Sequence, residues 1–536
     1  MRGKTFIKGA AVLGFAGLLV QILGAVFRIP LANIIGEEGM GYYQTAYPIY
    51  IFLLVFSTNG APAAISKMTS ERIAQGNYRE AHRIFKISFI LMIIIGIITS
   101  AAVFAGAKSI VSFFGDPGAY YAMIAIAPAL LFVPIMAVFR GYFQGYQIMG
   151  PTAGSQLTEQ VVRVAAGLTL AVVLVPKGIE YAAAGASGAG SIGPVFGTLF
   201  ILAVYMIVKK NRVLPFDKEN TEGFKGDSGK TILARLAGIA IPITIGVSIF
   251  PIMNLVDLIV VMRRLQDVGF STAAANGLYG QLSGYAGPII NIPQAMALAV
   301  SLSLVPAVAA ANSVGDKPFL DQNIKLGLRT ALIIGIPCSL GLMIIPKQII
   351  HLIYPLQAEG ADAAVSCLFW LGAGVVFICV AQAMAGILQG LGRPMLSVFG
   401  IVAGAAVKYA VSYILIGIKA LNVSGAAIGT SAGLLTAALV NMYFVNRIAK
   451  TNHDLRLAVA KPLMCGVLMT GVVAIISFGV GFFIQSRIIT VISVGAAAFT
   501  YAAALIRTGT ILPDEIRTLP KGDKLYRLLT KLNIAE

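Results

Sequence analysis

Residues 84–107 read IFKISFILMIIIGIITSAAVFAGA and contain a single charged residue, Lys86. A helix needs about 20 mostly apolar residues to cross the hydrocarbon core of a bilayer, and this stretch meets that requirement. The same criterion predicts an all-α polytopic membrane protein. It gives fourteen spans, near residues 6–34, 41–66, 84–107, 119–143, 156–176, 187–208, 231–261, 275–305, 326–346, 362–389, 395–418, 424–446, 459–484 and 487–508.

The composition excludes a soluble protein. The chain is 58% hydrophobic and only 12% charged, whereas a soluble domain carries about 25% charged residues. The net charge of +18 does not indicate a nucleic-acid partner, because Lys and Arg occupy short gaps between apolar runs. The four cysteines lie in apolar stretches without a close pair, which predicts core residues and neither a metal site nor a disulfide. No cofactor is expected.

The distribution of positive charge predicts the orientation in the cytoplasmic membrane. Lys and Arg cluster at the N-terminus and in the even-numbered gaps between spans, whereas the first gap offers only Glu37 and Glu38. Roughly 30 positive residues fall on the even side and roughly 7 on the odd side, which places both termini in the cytoplasm. The first apolar run, from Phe6, shows no cleavage site and is expected to be a retained helix.

Four short matches in the same order indicate an internal repeat. Gly141–Gly145 (GYFQG) recurs as Gly386–Gly390 (GILQG), 245 residues later. The other three matches are Gly41–Tyr43 with Gly277–Tyr279, Ala64–Ser66 with Ala299–Ser301, and Ser187–Ala189 with Ser424–Ala426. Each repeat unit contains six spans, so the two units point the same way and form two pseudo-symmetric lobes.

The repeat predicts five segments along the chain. They are an N-lobe over 1–208, a cytoplasmic linker over 209–230, a C-lobe over 231–446, two added helices over 447–508 and a cytoplasmic tail over 509–536. The stretch Gly223–Thr231 is similar to a phosphate loop, but its spacing is one residue off and no strand precedes it, so we expect no ATP site. The tail from Pro513 fits an amphipathic helix on the inner leaflet or a disordered basic segment.

Charged and polar residues inside the spans are the candidate binding site, because a charge at the bilayer centre costs about 2.5–3.5 kcal/mol. Arg28, late in the first span, matches Arg263 in the seventh at a spacing of 235 residues (263 − 28), and Arg264 follows it. Asn59 and Gln294 match at the same spacing (294 − 59 = 235). A cavity lined by spans 1, 2, 7 and 8 would explain both pairs, although Arg263 and Arg264 also fit interfacial anchors.

The fifth span adds a second set of candidates. Glu159 and Arg163 share one helix face, and the approximate repeat mate of this face, in the eleventh span, holds Lys408. Glu159 and Arg163 either bind substrate or neutralise each other inside the bundle. Asp257 and Glu159 are the candidates for an ion-coupling carboxylate, with a counter-ion role for Asp257 as the alternative.

The candidate cavity is cationic. Arginine forks match phosphate oxygens, so its charge predicts a phosphate or pyrophosphate ligand and argues against an exporter of cationic drugs.

Two stretches carry a family resemblance. Phe27–Lys67, with its FRIP, IGEEGMGYY and APAAISK segments, and Phe139–Arg163 are similar to the stage V sporulation protein B family of polysaccharide biosynthesis exporters. These belong to the MOP (MATE-like) flippase superfamily, with the lipid II flippases of the MurJ type among their relatives. The resemblance implies alternating access and a polyprenyl-pyrophosphate-linked sugar in a central cationic cavity. Arg28 matches the cavity arginine late in the first helix of such flippases.

Two transport hypotheses therefore remain. The first is a flippase for a lipid-linked cell-wall precursor, with lipid II as the expected substrate and spore cortex or peptidoglycan synthesis as the expected role. It would use a coupling cation or the membrane potential, with membrane lipid as its surroundings. The second is a cation-coupled multidrug exporter of the MATE type. An enzyme is not expected, because His82, His351 and His453 are isolated from any acidic metal motif.

Overall fold

The computed structural model describes residues 2–55, 58, 60–211, 227–357, 360–451, 456–480 and 487–510. These residues form α-helices joined by short turns, with no β-strand among the elements. The helices are α1 (Arg2–Val55), α2 (Ala61–Ala74), α3 (Tyr78–Phe113), α4 (Tyr120–Ile126), α5 (Ala129–Gly145), α6 (Gly150–Leu174), α7 (Ile179–Lys210), α8 (Gly229–Asp267), α9 (Thr272–Gly280), α10 (Gly287–Val314), α11 (Lys317–Ile344), α12 (Pro346–Ile353), α13 (Asp362–Gly390), α14 (Pro394–Ile416), α15 (Ser424–Ala449), α16 (Lys461–Ala474) and α17 (Arg487–Arg507). The predicted all-α class is confirmed.

Eleven helical segments within the described residues are long and apolar enough to cross a membrane. They correspond to predicted spans 3–6 and 8–14. Span 1 lies in α1, span 2 covers the end of α1 and the start of α2, and span 7 lies in α8; these three helices are not among the eleven. The chain is therefore a multi-pass membrane protein, and the count of fourteen spans stays a prediction.

Helix α1 is two helices joined at a sharp kink. Gly36 has φ 68° and ψ −171°, a conformation outside the helical region. The Arg28 guanidinium nevertheless lies 5.3 Å from the centre of the Tyr47 ring, although a straight helix would separate these residues by roughly 28 Å. The chain thus reverses direction near Gly36, between the positions predicted for spans 1 and 2.

The first compact unit comprises residues 1–266 and 270–280. Its inner helix is α5, because 67% of the most apolar 18-residue stretch of Pro117–Gly145 is buried. In α3 only 22% of the corresponding 18-residue stretch is buried, and its exposed large side chains include Ile90, Ile94 and Phe104. The outward apolar face of α3 is the one expected to meet lipid, because bilayer tolerates what water would not.

The second compact unit comprises residues 267–269 and 281–536. Helix α13 takes the inner position, with 56% of its most apolar 18-residue stretch buried. The last two helices, α16 and α17, pack together around Cys465, Met469, Tyr501 and Leu505. This small cluster also contacts α11 through Ile333 and Leu340.

Matching close contacts in the two units support the internal repeat. A Cβ atom added to Gly193 on α7 would lie 3.2 Å from the Cβ of Arg163 on α6. A Cβ atom added to Gly433 on α15 would lie 2.8 Å from the Cβ of Lys408 on α14. Glycine at both crossings lets the helix backbones approach closely, as small residues do in membrane bundles. Arg163 and Lys408 therefore occupy equivalent packing positions.

The contacts correct the register of one sequence match. A Cβ atom on Gly141 would meet the carbonyl oxygen of Pro62, and one on Gly386 would meet that of Ser301. Pro62 thus corresponds to Ser301 at a spacing of 239 residues (301 − 62), whereas the matched letters Ala64–Ser66 and Ala299–Ser301 gave 235. The error is four residues, about one helical turn. A shift of one turn keeps small residues on the same helix face, so a comparison of residue types does not detect it.

Helices α1 and α9 cross at a reciprocal contact. Gly41 approaches the backbone of Asn276, and Gly280 approaches the backbone of Glu37. Both pairs differ by the same 239 residues (280 − 41 and 276 − 37), so the match of Gly41–Tyr43 with Gly277–Tyr279, at 236 residues, is also out of register, by three residues. Each helix thus presents the same surface to the other, which is the pattern of a two-fold related pair.

The predicted segment boundaries follow the repeat, whereas the compact units follow packing. Packing groups α8 and α9 with the first six predicted spans, while the repeat begins the C-lobe at residue 231. The five predicted segments remain a prediction. Most of the linker (212–226) and most of the tail (511–536) lie outside the described residues.

Candidate functional site

An aromatic face on the second half of α1 forms one wall of the candidate site. Tyr43, Tyr47 and Tyr50 follow one another at helical spacing, with ring centroids 5.7 Å and 6.1 Å apart. Arg28 projects from the first half of α1 and places its guanidinium over the Tyr47 ring. A cation above an aromatic face is attracted by the ring quadrupole, which helps to hold a charge in an apolar bundle.

A carboxylate held between two arginines lies close to this aromatic face. The Glu159 Oε1 atom accepts a hydrogen bond from Arg163 at 2.9 Å, and Oε2 accepts one from Arg140 at 3.0 Å. All three side chains are largely buried, with 15–17% of each exposed. Such a pair persists at low dielectric only when hydrogen bonds replace the lost hydration, and this geometry supplies them.

The two arginines differ in how completely they are paired. The Arg140 Nε atom donates to the Ser155 hydroxyl at 2.8 Å, and the Arg140 carbonyl accepts from Thr152. The Arg163 Nε atom is buried and has no hydrogen-bond partner in the described part of the chain. Arg163 therefore has one unpaired donor, whereas the Arg140 Nε donor is bonded to Ser155.

Close helix packing fixes this cluster in place. A Cβ atom on Gly193 would lie 2.7 Å from the Glu159 carbonyl oxygen, so α7 can approach α6 only because residue 193 is glycine. A Cβ atom on Gly24 would lie 3.5 Å from Gln160 Nε2, which places the first half of α1 against α6. Arg163 lies close enough to Tyr43, Tyr47 and Tyr50 to interact with them electrostatically.

The cluster carries a net positive charge. Arg28, Arg140 and Arg163 bring three positive charges and Glu159 one negative charge, which leaves a formal charge of +2 on one side of the first unit. Guanidinium groups with a spare donor bind phosphate oxygens in a bidentate manner. The arrangement can therefore receive an anion, and among its described residues it holds no nucleophile placed against a base.

The other predicted site residues lie elsewhere. Arg263 is exposed, donates to the Phe113 carbonyl at 2.6 Å and stacks over the Phe113 ring, so it fastens α8 to the end of α3. Arg264 and Asp257 are partly buried, and both interact with other groups. Asn59 lies outside the described residues.

In the second unit, Gln294 on α10 and Lys408 on α14 are both partly buried. Lys408 also interacts with another group. Of the predicted residues, the structure thus groups Arg28, Glu159 and Arg163 in the first unit. The binding and ion-coupling roles of all these residues, Arg28, Glu159 and Arg163 included, remain predictions.

Sequence reasoning missed Arg140. It immediately precedes the repeated GYFQG segment and lies within the fourth predicted span, so its charge inside an apolar run was an available signal. Its partner Glu159 is 19 residues away (159 − 140) on a different helix, and only tertiary structure reveals that pair.

Known proteins resemble this chain over most of its length. Residues 6–312 match the family model described as polysaccharide biosynthesis protein. Stage V sporulation protein B of Bacillus subtilis (strain 168) is 27% identical over 525 residues, covering 97% of this chain and 98% of the relative. The lipid II flippase MurJ of the same organism is 28% identical over 519 residues, covering 92% and 94%.

A solved structure shows the same fold. The lipid II flippase MurJ in an inward closed conformation superposes with a TM-score of 0.68 at 15% identity, covering 92% of this chain and 98% of that one. The likeness agrees with a polytopic helical architecture for this chain.

Proposed function

The chain belongs to the polysaccharide biosynthesis protein family, and on that premise we propose that it is a flippase for a lipid-linked oligosaccharide precursor of the cell wall. The substrate class is a sugar carried on a polyprenyl pyrophosphate, and we propose lipid II as the specific substrate. The protein would move it across the cytoplasmic membrane by alternating access, in peptidoglycan or spore cortex synthesis, without covalent chemistry. The names of the relatives, a sporulation protein and a lipid II flippase, support this choice.

The observation that carries the proposal is the cationic cluster of the first unit. A pyrophosphate needs positive charge and donors at bilayer depth, where a lone arginine would be costly. Arg163 offers a buried Nε donor without a partner among the described residues, and Arg28 lies over the ring of Tyr47, with which Arg163 also interacts electrostatically. We propose that both arginines bind the pyrophosphate, while Glu159 keeps Arg163 neutralised until the substrate arrives.

The cation-coupled multidrug exporter is less well supported. A site for cationic drugs would present carboxylates to its ligand, but Glu159 is held by two arginines. The proposed orientation, with both termini in the cytoplasm, rests on the distribution of Lys and Arg.

The test is transport by the purified protein in liposomes. Fluorescent lipid II is incorporated, and its head group is made accessible to an impermeant quencher or enzyme only after flipping. We expect Arg28→Ala to lose at least about tenfold in rate, since a desolvated charge–phosphate contact is worth at least 1.4 kcal/mol. Arg447→Ala is the matched control, because Arg447 is exposed and bonds only Tyr443 among the described residues.

Two results would contradict the proposal. Normal transport by Arg28→Ala, at normal expression, would exclude the arginine from the binding site. Transport of cationic drugs without transport of lipid II would favour the multidrug exporter.

A further inference from the structure

A second buried carboxylate lies outside the cationic cluster. Asp116 occupies the turn between α3 and the short 3₁₀ turn Pro117–Ala119, outside the helical segments that cross the membrane, and its side chain is completely buried. Thr45 on α1 donates to the Asp116 Oδ2 atom at 2.8 Å. The Oδ1 atom is buried and has no hydrogen-bond partner within the described residues. A bare carboxylate oxygen is costly, which favours a neutral acid there.

The groups that face Asp116 do not offset this cost. Glu38 and Tyr42 face it from α1, and Glu180 faces it from α7. Arg263 on α8 bonds the nearby Phe113 carbonyl. Burial is the main cause that raises the pKa of Asp116 to about 6, the two carboxylates add to the rise, and the hydrogen bonds from Thr45 and the Gly118 backbone oppose it.

The Asp116 carboxyl group is linked to the cationic cluster through its hydrogen bond with Thr45 on α1. Thr45 lies on the second half of α1, between Tyr43 and Tyr47, whose rings face Arg28 and Arg163. The kink at Gly36 separates this half from the half that carries Arg28. The contact between Thr45 and Asp116 therefore joins the turn after α3 to the half of α1 that carries the three tyrosines.

We propose that Asp116 is the proton-binding site of the transport cycle, buried and protonated when the turn after α3 closes on Thr45 of α1, and hydrated and ionised when the two separate. The inference rests on the proposed function, since it supplies the coupling ion. Water delivers the proton as hydronium to the carboxylate, which becomes a neutral acid, and separation returns the proton to water. With a pKa of about 6, the buried carboxyl group holds the proton at acidic pH and loses it as the pH rises.

This assignment differs from the ion-coupling candidates predicted from the sequence. Protonation of Glu159 would leave Arg140 and Arg163 without their counter-ion, so that carboxylate is poorly suited to carry a proton. Asp257 already interacts with another group. Asp116, by contrast, has a buried carboxylate oxygen without a hydrogen-bond partner among the described residues.

Unfolding as a function of pH tests proton binding without any substrate. The folded protein takes up the proton at a pH where the unfolded chain has released it, so stability is highest at low pH and falls as the pH rises through about 6. Asp116→Asn mimics the neutral acid and removes this loss. Between pH 5 and pH 8 we expect the unfolding midpoint of the wild type to fall relative to Asp116→Asn by about 2 °C or more.

Two further variants keep the test decisive. Asp316→Asn changes an exposed carboxylate that caps α11, where asparagine also caps, and should follow the wild type at every pH. Thr45→Val removes the donor that stabilises the Asp116 anion, so its loss of stability should continue to higher pH than in the wild type. Parallel curves for all four proteins would overturn the proposal.

Transport under a proton gradient tests coupling. In liposomes, a pH gradient of one polarity should accelerate flipping of lipid II by the wild type about fivefold or more over the opposite polarity, and Asp116→Asn should lose this dependence. An Asp116→Asn protein that follows the gradient like the wild type would overturn the coupling. If the wild type flips no lipid-linked substrate under any condition, the proposed function fails, and unfolding as a function of pH still decides the proton site.

Discussion

At the scale of single residues, Glu159 divides its two arginine partners into different roles. Arg140 is tied to Ser155 and Thr152 as well as to Glu159, so its contacts join α5 to α6. Arg163 has one ionic partner and a free Nε atom beside the tyrosine face. We therefore assign Arg140 to the stability of the first unit and Arg163 to substrate binding.

Glutamine substitutions separate these two roles. Arg140→Gln removes one partner of a buried ion pair and its bond to Ser155, and should lower the free energy of unfolding by about 3–5 kcal/mol. Transport per folded molecule should stay near that of the wild type. Arg163→Gln should instead lower transport per folded molecule by at least about tenfold. Folded protein is quantified by size-exclusion chromatography, and equal transport losses in both variants would contradict the division.

The sequence made part of this site visible. Glu159 and Arg163 are four residues apart in a helix, so their pairing follows from helical geometry alone. The contact of Arg140 with Glu159 depends on how α5 packs against α6, and the burial of Asp116 depends on how a turn meets α1. Neither contact follows from local spacing, which is why both escaped sequence reasoning.

At the scale of elements, the kink in α1 joins two helices that the sequence predicted separately. Span boundaries at residues 34 and 41 bracket Gly36, and the acidic pair Glu37 and Glu38 marked the gap. The structure makes the reversal with one residue of positive φ inside an otherwise helical run. Only glycine adopts this conformation at low cost, because it has no Cβ atom.

Replacing Gly36 tests the strain at the kink. Gly36→Ala should lower the free energy of unfolding by about 1–3 kcal/mol, because alanine disfavours φ 68° with ψ −171°. Gly17→Ala is the control in the same helix, since an added Cβ atom there meets nothing within 4 Å. Thermal unfolding in detergent measures both. A Gly36→Ala protein as stable as Gly17→Ala would mean that α1 is not held in this kinked form.

The repeat also yields a prediction at the element scale. A Cβ atom on Gly433 would lie 2.6 Å from the Gly404 carbonyl oxygen, and one on Gly193 would lie 2.7 Å from that of Glu159. Gly193→Ala and Gly433→Ala should therefore each cost about 1–3 kcal/mol of unfolding free energy. Gly471→Ala, on an open face of α16, should have little effect in the same unfolding assay. A large difference in the loss of unfolding free energy between Gly193→Ala and Gly433→Ala would show that the two helix crossings are not equivalent.

At the scale of the whole molecule, composition and hydropathy predicted the all-α membrane class, because bilayer thickness imposes helix length directly on the sequence. The register between the repeats was out by about one turn in two of the four matches, since letter matches on small residues do not report which atoms touch. Family membership supports a lipid-linked sugar as the class of substrate, and the positive charges of the first unit support a negatively charged substrate.

Labelling of introduced cysteines tests the orientation. Lys177 and Lys210 are exposed and lie beside opposite ends of α7. We expect Lys177→Cys to react with a membrane-impermeant maleimide on intact cells, and Lys210→Cys to react only after permeabilisation. The parent protein is the control, because its four cysteines are buried or partly buried. The opposite pattern would reverse the proposed topology.

The central claim is that the buried arginines of the first unit bind a lipid-linked pyrophosphate, and equilibrium binding of lipid II to the purified protein tests it most directly. We predict that Arg163→Gln weakens binding by at least about tenfold, while Arg447→Ala binds like the wild type. Equal affinities for the wild type, Arg163→Gln and Arg28→Ala, with all three proteins folded, would contradict the account.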